Sequence, residues 1–365
     1  MRVEKILEFY KGKNVFVTGH TGFKGSWLCM ILEMAGANVT GYALEANTNP
    51  SLFYITGIHQ GMNSIIGDVR DYDTMKKAFE ECKPDVIFHL AAQPIVRVGY
   101  AEPRETYSTN VMGTVNLMEC IRESDWVKSV VNVTTDKVYR NDRGFQPTEN
   151  VVLRGFVEND ELDGYDPYSN SKSCSELVTS TYKRSFLRDK NIAVSTMRAG
   201  NVIGGGDFEK DRIVPDCVRA AMREKKIIVR NPFSVRPFQH VLEPLFAYLM
   251  VGAEQYENTR LAGAYNIGPD AYDCVTTGEL ATMFCEAWGH GMEWEHVGDN
   301  GPQEAGILRL NCEKIKNTFH WRPVWNVQTA IEKVVQWSKA YNSNEDVIQC
   351  MKVQIRDYMG EQEKV

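Results

Sequence analysis

Thr135, Asp136 and Lys137 stand directly behind a β-branched apolar run that ends at Val133 and Thr134, so a hydroxyl, a carboxyl and an ammonium should sit at the mouth of a strand. In α/β folds that is where ligands bind. Further along, Asp166 can cap a helix and Pro167 suits its first position, and Tyr168–Ser169–Asn170–Ser171–Lys172 follows. Residues four apart share a helix face, so Tyr168 and Lys172 point the same way, and the ammonium should favour the phenolate and lower the tyrosine pKa. A phenol tuned in this way can take a proton from a hydroxyl while a hydride leaves the same carbon. Tyr-x-x-x-Lys spacing alone is also what a solvated helix face carries. The catalytic reading therefore requires a dinucleotide site upstream.

Such a site is written near the start of the chain. Asn14–Thr18 reads as a short strand, Gly19–His20–Thr21–Gly22–Phe23–Lys24–Gly25 as a turn, and the stretch through Ala35 as a helix. Gly19 permits the tight turn, Gly22 lets backbone approach a pyrophosphate, and Gly25 lets helix and strand pack closely, with the helix N-terminus facing the negative charge. This Gly-x-x-Gly-x-x-Gly spacing resembles that of the short-chain dehydrogenase/reductase superfamily. A second strand, Asn38–Ala43, ends without the acidic residue expected to hold an adenosine ribose, and Glu45 is the nearest carboxylate. His20 and Lys24 add polar or positive character beside the phosphates. No arginine is available at the strand end to grip a 2′-phosphate, which places NAD ahead of NADP.

Ile65–Asp71 reads as a strand giving way to a loop, with Asp71 also able to cap a helix, and Val86–Gln93 as a buried strand closing on the small residues Ala91 and Ala92. Backbone at Leu90, Ala91, Ala92 and Gln93 can then lie against a cofactor. Asn110, on the helix that follows, and Thr134 complete the cofactor-facing set. Strands alternating with helices at this rhythm imply an α/β, Rossmann-type, doubly wound parallel sheet. Ala193–Arg198 is a further core strand, followed by the glycine-rich turn Ala199–Asp207. Beyond it come helices near 213–223, 242–254 and 277–288 and a short strand at 227–229. The division expected is a cofactor-binding domain over 1–200, a mainly substrate-binding lobe over 201–342 interleaved with the last sheet strands, and a charged, weakly patterned tail over 343–365 at the surface or against another subunit. The polar stretch between Lys137 and Tyr168, with Arg140, Asp142, Arg143, Glu158, Asp160 and Glu161, reads as an excursion over the site or a solvated loop.

Composition excludes several classes. The chain has 365 residues, 43% of them hydrophobic, enough for a sizeable core. A formal charge of −7 argues against nucleic acid as a partner. Nine scattered cysteines without a Cys-x-x-Cys pair, and seven histidines without metal-binding spacing, speak against zinc and a disulfide framework and for a reducing compartment. No export signal or membrane span is visible, so a cytoplasmic protein is expected.

The strings Val17–Leu28, Thr135–Lys137, Tyr165–Lys172, Arg198–Asp207 and Arg236–Pro244 together resemble the extended short-chain dehydrogenase/reductases that modify nucleotide sugars, within them the sugar 4,6-dehydratases. The likeness runs from about Gly12 to Tyr341. It implies that Asp68 and Val69 hold the adenine of NAD and that Tyr168 takes the proton of a sugar 4-hydroxyl as hydride leaves C4. Lys172 would support the phenolate and the nicotinamide ribose, and Thr135 would hydrogen-bond the 4-oxygen. Asp136 would protonate a departing 6-hydroxyl, which requires burial to keep it protonated. Lys137 departs from the glutamate that most such dehydratases carry as base. It either abstracts the C5 proton as a neutral amine or merely holds a substrate oxygen. Asn201, Arg236 and Arg309, with Arg97 behind them, are the expected diphosphate and substrate contacts. Arg309 could instead pair with Glu304, and His240 could be structural. The implied substrate is CDP-glucose, in deoxysugar supply for a polysaccharide. A GDP- or UDP-linked hexose, a 4-epimerase that would not need Asp136 and Lys137, and a non-catalytic sugar-nucleotide sensor are the alternatives. A homodimer or homotetramer is implied in the same way.

Overall fold

The computed structural model of the chain describes residues 3–141, 154–298 and 308–364. Seven strands form one sheet: β1 Asn14–Thr18, β2 Asn38–Ala43, β3 Asn63–Ile66, β4 Val86–His89, β5 Ser129–Val133, β6 Ala193–Ala199 and β7 Ala264–Ile267. Their spatial order is β3-β2-β1-β4-β5-β6-β7, and every neighbouring pair is parallel. In the register Val17 faces Phe88 and Phe88 faces Val131. The strand order reverses between β1 and β4, so a cleft opens outside their carboxyl ends.

Alternation along the strands sends side chains to opposite faces, and both faces are covered. Val15, Val17, Phe88 and Val131 pack with Trp27, Leu28 and Ile31 of the helix Phe23–Met34 and with Leu245 and Leu249 of the helix Leu242–Glu257. Phe16, Ile87, Val130 and Val194 meet Met75 and Phe79 of Tyr72–Cys82 and Leu117 and Ile121 of Gly113–Glu123. Each such side chain contributes roughly 1.5–3 kcal/mol by leaving water. A separate core joins the helices Ile213–Ala221, Thr277–Trp288 and Val327–Asn342 with the paired strands Ile227–Val229 and Trp294–His296.

The third strand begins at Asn63, two residues earlier than read, and after Ile66 gives way to the expected loop, with Asp71 capping the helix behind it. The segment past Asn342 is not weakly patterned. Its helix, Val347–Gln362, buries Met351, Ile355 and Tyr358, a four-then-three spacing that defines one apolar face. Within the stretch between Lys137 and Tyr168, residues 142–153, with Asp142 and Arg143, lie outside the described residues. What is described packs: Tyr139 stacks on Phe156 at 4.9 Å, with Val138 and Leu308 buried around them.

Candidate active site

The catalytic helix starts where its sequence places it. The Asp166 carboxylate accepts the Ser169 amide at 3.0 Å and Pro167 takes the first position of Pro167–Tyr182. One turn on, Lys172 Nζ donates to the carbonyl of Val133 at 3.1 Å, pinning the helix to the last residue of β5. From there Thr134 and Thr135 lead into a tight turn over Asp136–Val138. Thr135 Oγ1 donates to Asp136 Oδ1 at 3.0 Å, and Lys137 Nζ lies 3.5 Å from the same oxygen. Asp136 is 1% exposed, and its Oδ2 is buried without a partner among the described residues. The sheet edge and the helix face thus bring Thr135, Asp136, Lys137, Tyr168 and Lys172 to one place.

The electrostatics revise one expectation. Burial pushes the Tyr168 phenol above its ordinary pKa, opposed first by Lys137 and then by the Thr135 hydroxyl, while Asp136 adds to the rise and Arg212 opposes it. Lys137 is the first cation that favours the phenolate, with Arg212 after it, and the Lys172 ammonium is turned to the Val133 carbonyl. Lys172 itself is lowered to about 8 by burial, with Glu176 pushing back. Arg212, held by Asp207 at 3.0 Å, carried no signal in the sequence, since it follows an irregular turn with no periodic pattern.

The glycine loop fits a dinucleotide. Gly19 has a positive φ of 78°, and a Cβ there would meet Ala91 N at 2.7 Å; at Gly25 it would meet Gly19 O at 2.1 Å. At Gly22, which caps the helix, the nearest atom is Gly19 O at 3.4 Å, leaving space on the side where a phosphate must come. Thr21 ties the loop to β2 by donating to Leu44 O at 2.8 Å. Phe23 lies against Gly204. Lys24 is half-buried, and its pKa falls to about 7 through burial, Lys172 and Arg212, against the pull of Asp136.

His20 does not add positive character. Its ring is buried under Gly41, bonded to Ser64 Oγ at 2.8 Å, and burial lowers its pKa to about 4, so it is neutral at pH 7. At the far end, the Asp68 carboxylate is held by Arg70 Nε at 2.9 and 3.0 Å, and Val69 is buried against Gly113. Glu45 accepts the Tyr54 hydroxyl at the exit of β2. Leu90 N and Ala91 N bond Thr18, and Gln93 N donates to Asn110 Oδ1 at 2.8 Å. Ala92 is half-buried on the same strand exit. Asn110 sits in a π-helical turn, Ser108–Met112, and donates to Ser171 Oγ at 2.8 Å, joining the β4 exit to the catalytic helix. Thr134 Oγ1 donates to Glu176 at 2.5 Å.

Of the expected substrate contacts, Asn201 keeps a buried Oδ1 and Arg309 a buried Nε with no partner among the described residues. Glu304, the alternative partner of Arg309, lies outside the described residues. Arg236 is buried and donates to the Val235 carbonyl at 3.0 Å. Arg97 is half-buried on the short helix Val96–Ala101. His240 is core: it is fully buried between Trp27 and Trp325, and its pKa is lowered to about 3 by burial and Lys333.

Residues 16–334 match the model of the family described as GDP-mannose 4,6 dehydratase. The chain is 45% identical over 358 residues to a CDP-glucose 4,6-dehydratase of Salmonella typhimurium, covering 96% of this chain and 98% of that one. It is 21% identical to a CDP-paratose 2-epimerase of Salmonella typhi, covering 89% and 99%. Among solved structures, a dTDP-glucose 4,6-dehydratase of Bacillus anthracis in complex with NAD superposes with a TM-score of 0.72 at 24% identity, covering 92% of this chain and 99% of that one.

Proposed function

The chain belongs to the GDP-mannose 4,6 dehydratase family, and from that premise we propose that it is an NAD-dependent hydro-lyase converting CDP-glucose to CDP-4-keto-6-deoxyglucose. Bound against the glycine loop, NAD supplies a hydride acceptor for C4 of the hexose and the same hydride for C6. Tyr168 takes the proton of the 4-hydroxyl, with Thr135 as hydrogen-bond companion on that oxygen. The ketone at C4 acidifies the hydrogen at C5. Lys137 removes this proton and Asp136 protonates the leaving 6-hydroxyl, so water departs and a C5–C6 double bond forms; the Lys137 ammonium then gives a proton back to C5 as that bond is saturated.

The observation that carries this reading is the Asp136–Lys137 pair beside Tyr168. An amine abstracts a proton only when neutral and a carboxyl donates one only when protonated. Moving one proton across the 3.5 Å gap from ammonium to carboxylate creates both forms at once. A 4-epimerase needs neither group. Asn201, Arg309, Arg236 and Arg97 are the diphosphate and substrate contacts, a role supported for the first two by their unpartnered buried atoms.

Val98, Tyr107, Met112, Leu177 and Phe186 are exposed on segments that pack with or continue the helix Pro167–Tyr182. These exposed apolar side chains support a homodimer built through these helices. Nine free cysteines support a reducing, cytoplasmic setting; among the described residues no helix is long and apolar enough to cross a membrane.

Incubation with NAD and CDP-, UDP- or GDP-glucose tests the reading through the absorbance of the 4-keto-6-deoxy product in alkali. Product from CDP-glucose alone is expected. Product from another nucleotide, or a C4 epimer instead, contradicts it.

A further inference from the structure

Glu176 lies one turn beyond Lys172 on the catalytic helix, and it is buried with all four of its hydrogen bonds made. Oε1 accepts Thr134 Oγ1 at 2.5 Å and Arg198 Nε at 3.0 Å; Oε2 accepts Thr196 Oγ1 at 2.7 Å and Arg198 Nη2 at 2.9 Å. Both partners of the ion pair are 3% exposed. Arg198, at the end of β6, continues the chain of contacts: its Nη1 donates to Tyr139 Oη and to the Glu158 carbonyl, each at 2.9 Å, and Tyr139 donates to Asn266 Oδ1 of β7. Thr134 precedes the Thr135–Asp136–Lys137 turn and Tyr139 follows it. One carboxylate–guanidinium pair therefore grips that turn at both ends and fastens it to the helix that carries Tyr168 and Lys172.

A buried ion pair is weak evidence for stability, since apolar replacement often does as well. Its value lies in fixed, bidentate geometry. We propose that Glu176 and Arg198 are positioning residues for the dehydration: they set the register between the Tyr168–Lys172 face and the acid–base turn. The pair's bonds are all made to protein, and it acts on the turn through Thr134 and Tyr139.

The inference rests on the dehydratase reading above, so wild-type protein is assayed first with CDP-glucose and NAD; no 4-keto product there removes that reading, not the pair's role. Two variants then test the register. Glu176→Gln should lower kcat at least about tenfold, a cost in keeping with a small misplacement of catalytic groups, with KM for CDP-glucose nearly unchanged. Thr134→Val removes the hydroxyl's bonds to Glu176 and to the Met197 carbonyl; it should lower kcat similarly with KM for CDP-glucose and for NAD nearly unchanged, which loss of a cofactor contact would not do. Wild-type kcat in either folded variant overturns the proposal. If Glu176→Gln does not fold, Thr134→Val decides alone.

Discussion

Asp136 Oδ1 takes both the Thr135 hydroxyl at 3.0 Å and the Lys137 ammonium within 3.5 Å, leaving Oδ2 as the buried oxygen without a partner among the described residues. An unsatisfied buried oxygen is costly unless a ligand meets it. A departing sugar hydroxyl is the partner this account assigns. Asp136→Asn should therefore leave reduction of bound NAD by CDP-glucose intact while slowing water loss by ~10²–10⁴-fold. Single-turnover absorbance of NADH, followed by assay of the 4-keto-6-deoxy product, separates the two steps; full product formation in the variant would remove Asp136 as the acid.

Tyr168→Phe should act earlier. Its loss of the proton acceptor should slow NAD reduction by ~10²–10⁴-fold, with binding of CDP-glucose little changed because the ring remains. Calorimetric titration and the same single-turnover experiment read both quantities. Native-rate reduction in the phenylalanine variant would place the proton acceptor elsewhere.

The step should also carry the titration of Lys172, whose ammonium, placed by the Val133 carbonyl, is the group expected on the nicotinamide ribose. Its pKa is lowered from 10.5 to about 8, so the ammonium is present below that pH and lost above it. NAD reduction should decline as pH rises through about 8, where an ordinary lysine would hold its charge for two further units. A profile flat to pH 10 would show that the charge on Lys172 is not needed.

Much of this site was legible because its determinants are local. The Gly19–Gly25 spacing, the Asp166 cap with Pro167, and the four-residue step from Tyr168 to Lys172 each depend on a few neighbouring residues whose chemistry admits few arrangements. What escaped depends on distant partners. His20 reads as a polar loop residue until Ser64 and Gly41 close over it. The Lys172 ammonium could not be known to meet Val133, 39 positions away. Glu176 carried a faint signal, one turn beyond Lys172, but its partner Arg198 lies across the fold on another strand. The closing helix was missed for a different reason: its apolar face, Met351, Ile355 and Tyr358, is narrow and diluted by charges on the other sides.

That helix is latched through Glu243, which is fully buried and accepts Tyr358 Oη at 2.8 Å and the amides of Val324 and Trp325 at 3.0 and 2.7 Å. Burial raises its pKa from 4.5 to about 7 despite those donors. A pKa raised on folding gives a contribution fully present below 4.5 and lost as pH rises through about 7, a change on the order of 3 kcal/mol. Relative to Glu243→Gln, which cannot titrate, the wild-type melting temperature should fall between pH 4.5 and 8. Parallel curves for the two proteins would refute the assignment.

The central claim is that hydride leaves C4 of the sugar and returns to C6 of the same molecule, with acid–base chemistry at C5 between the two events. CDP-glucose carrying deuterium at C4, incubated with the protein and NAD in ordinary water, and unlabelled CDP-glucose incubated in heavy water, both analysed by NMR, read this directly. The account predicts deuterium in the C6 methyl group of the 4-keto product from the first and solvent deuterium at C5 from the second. Deuterium found again at C4, or washed out into water, would contradict it.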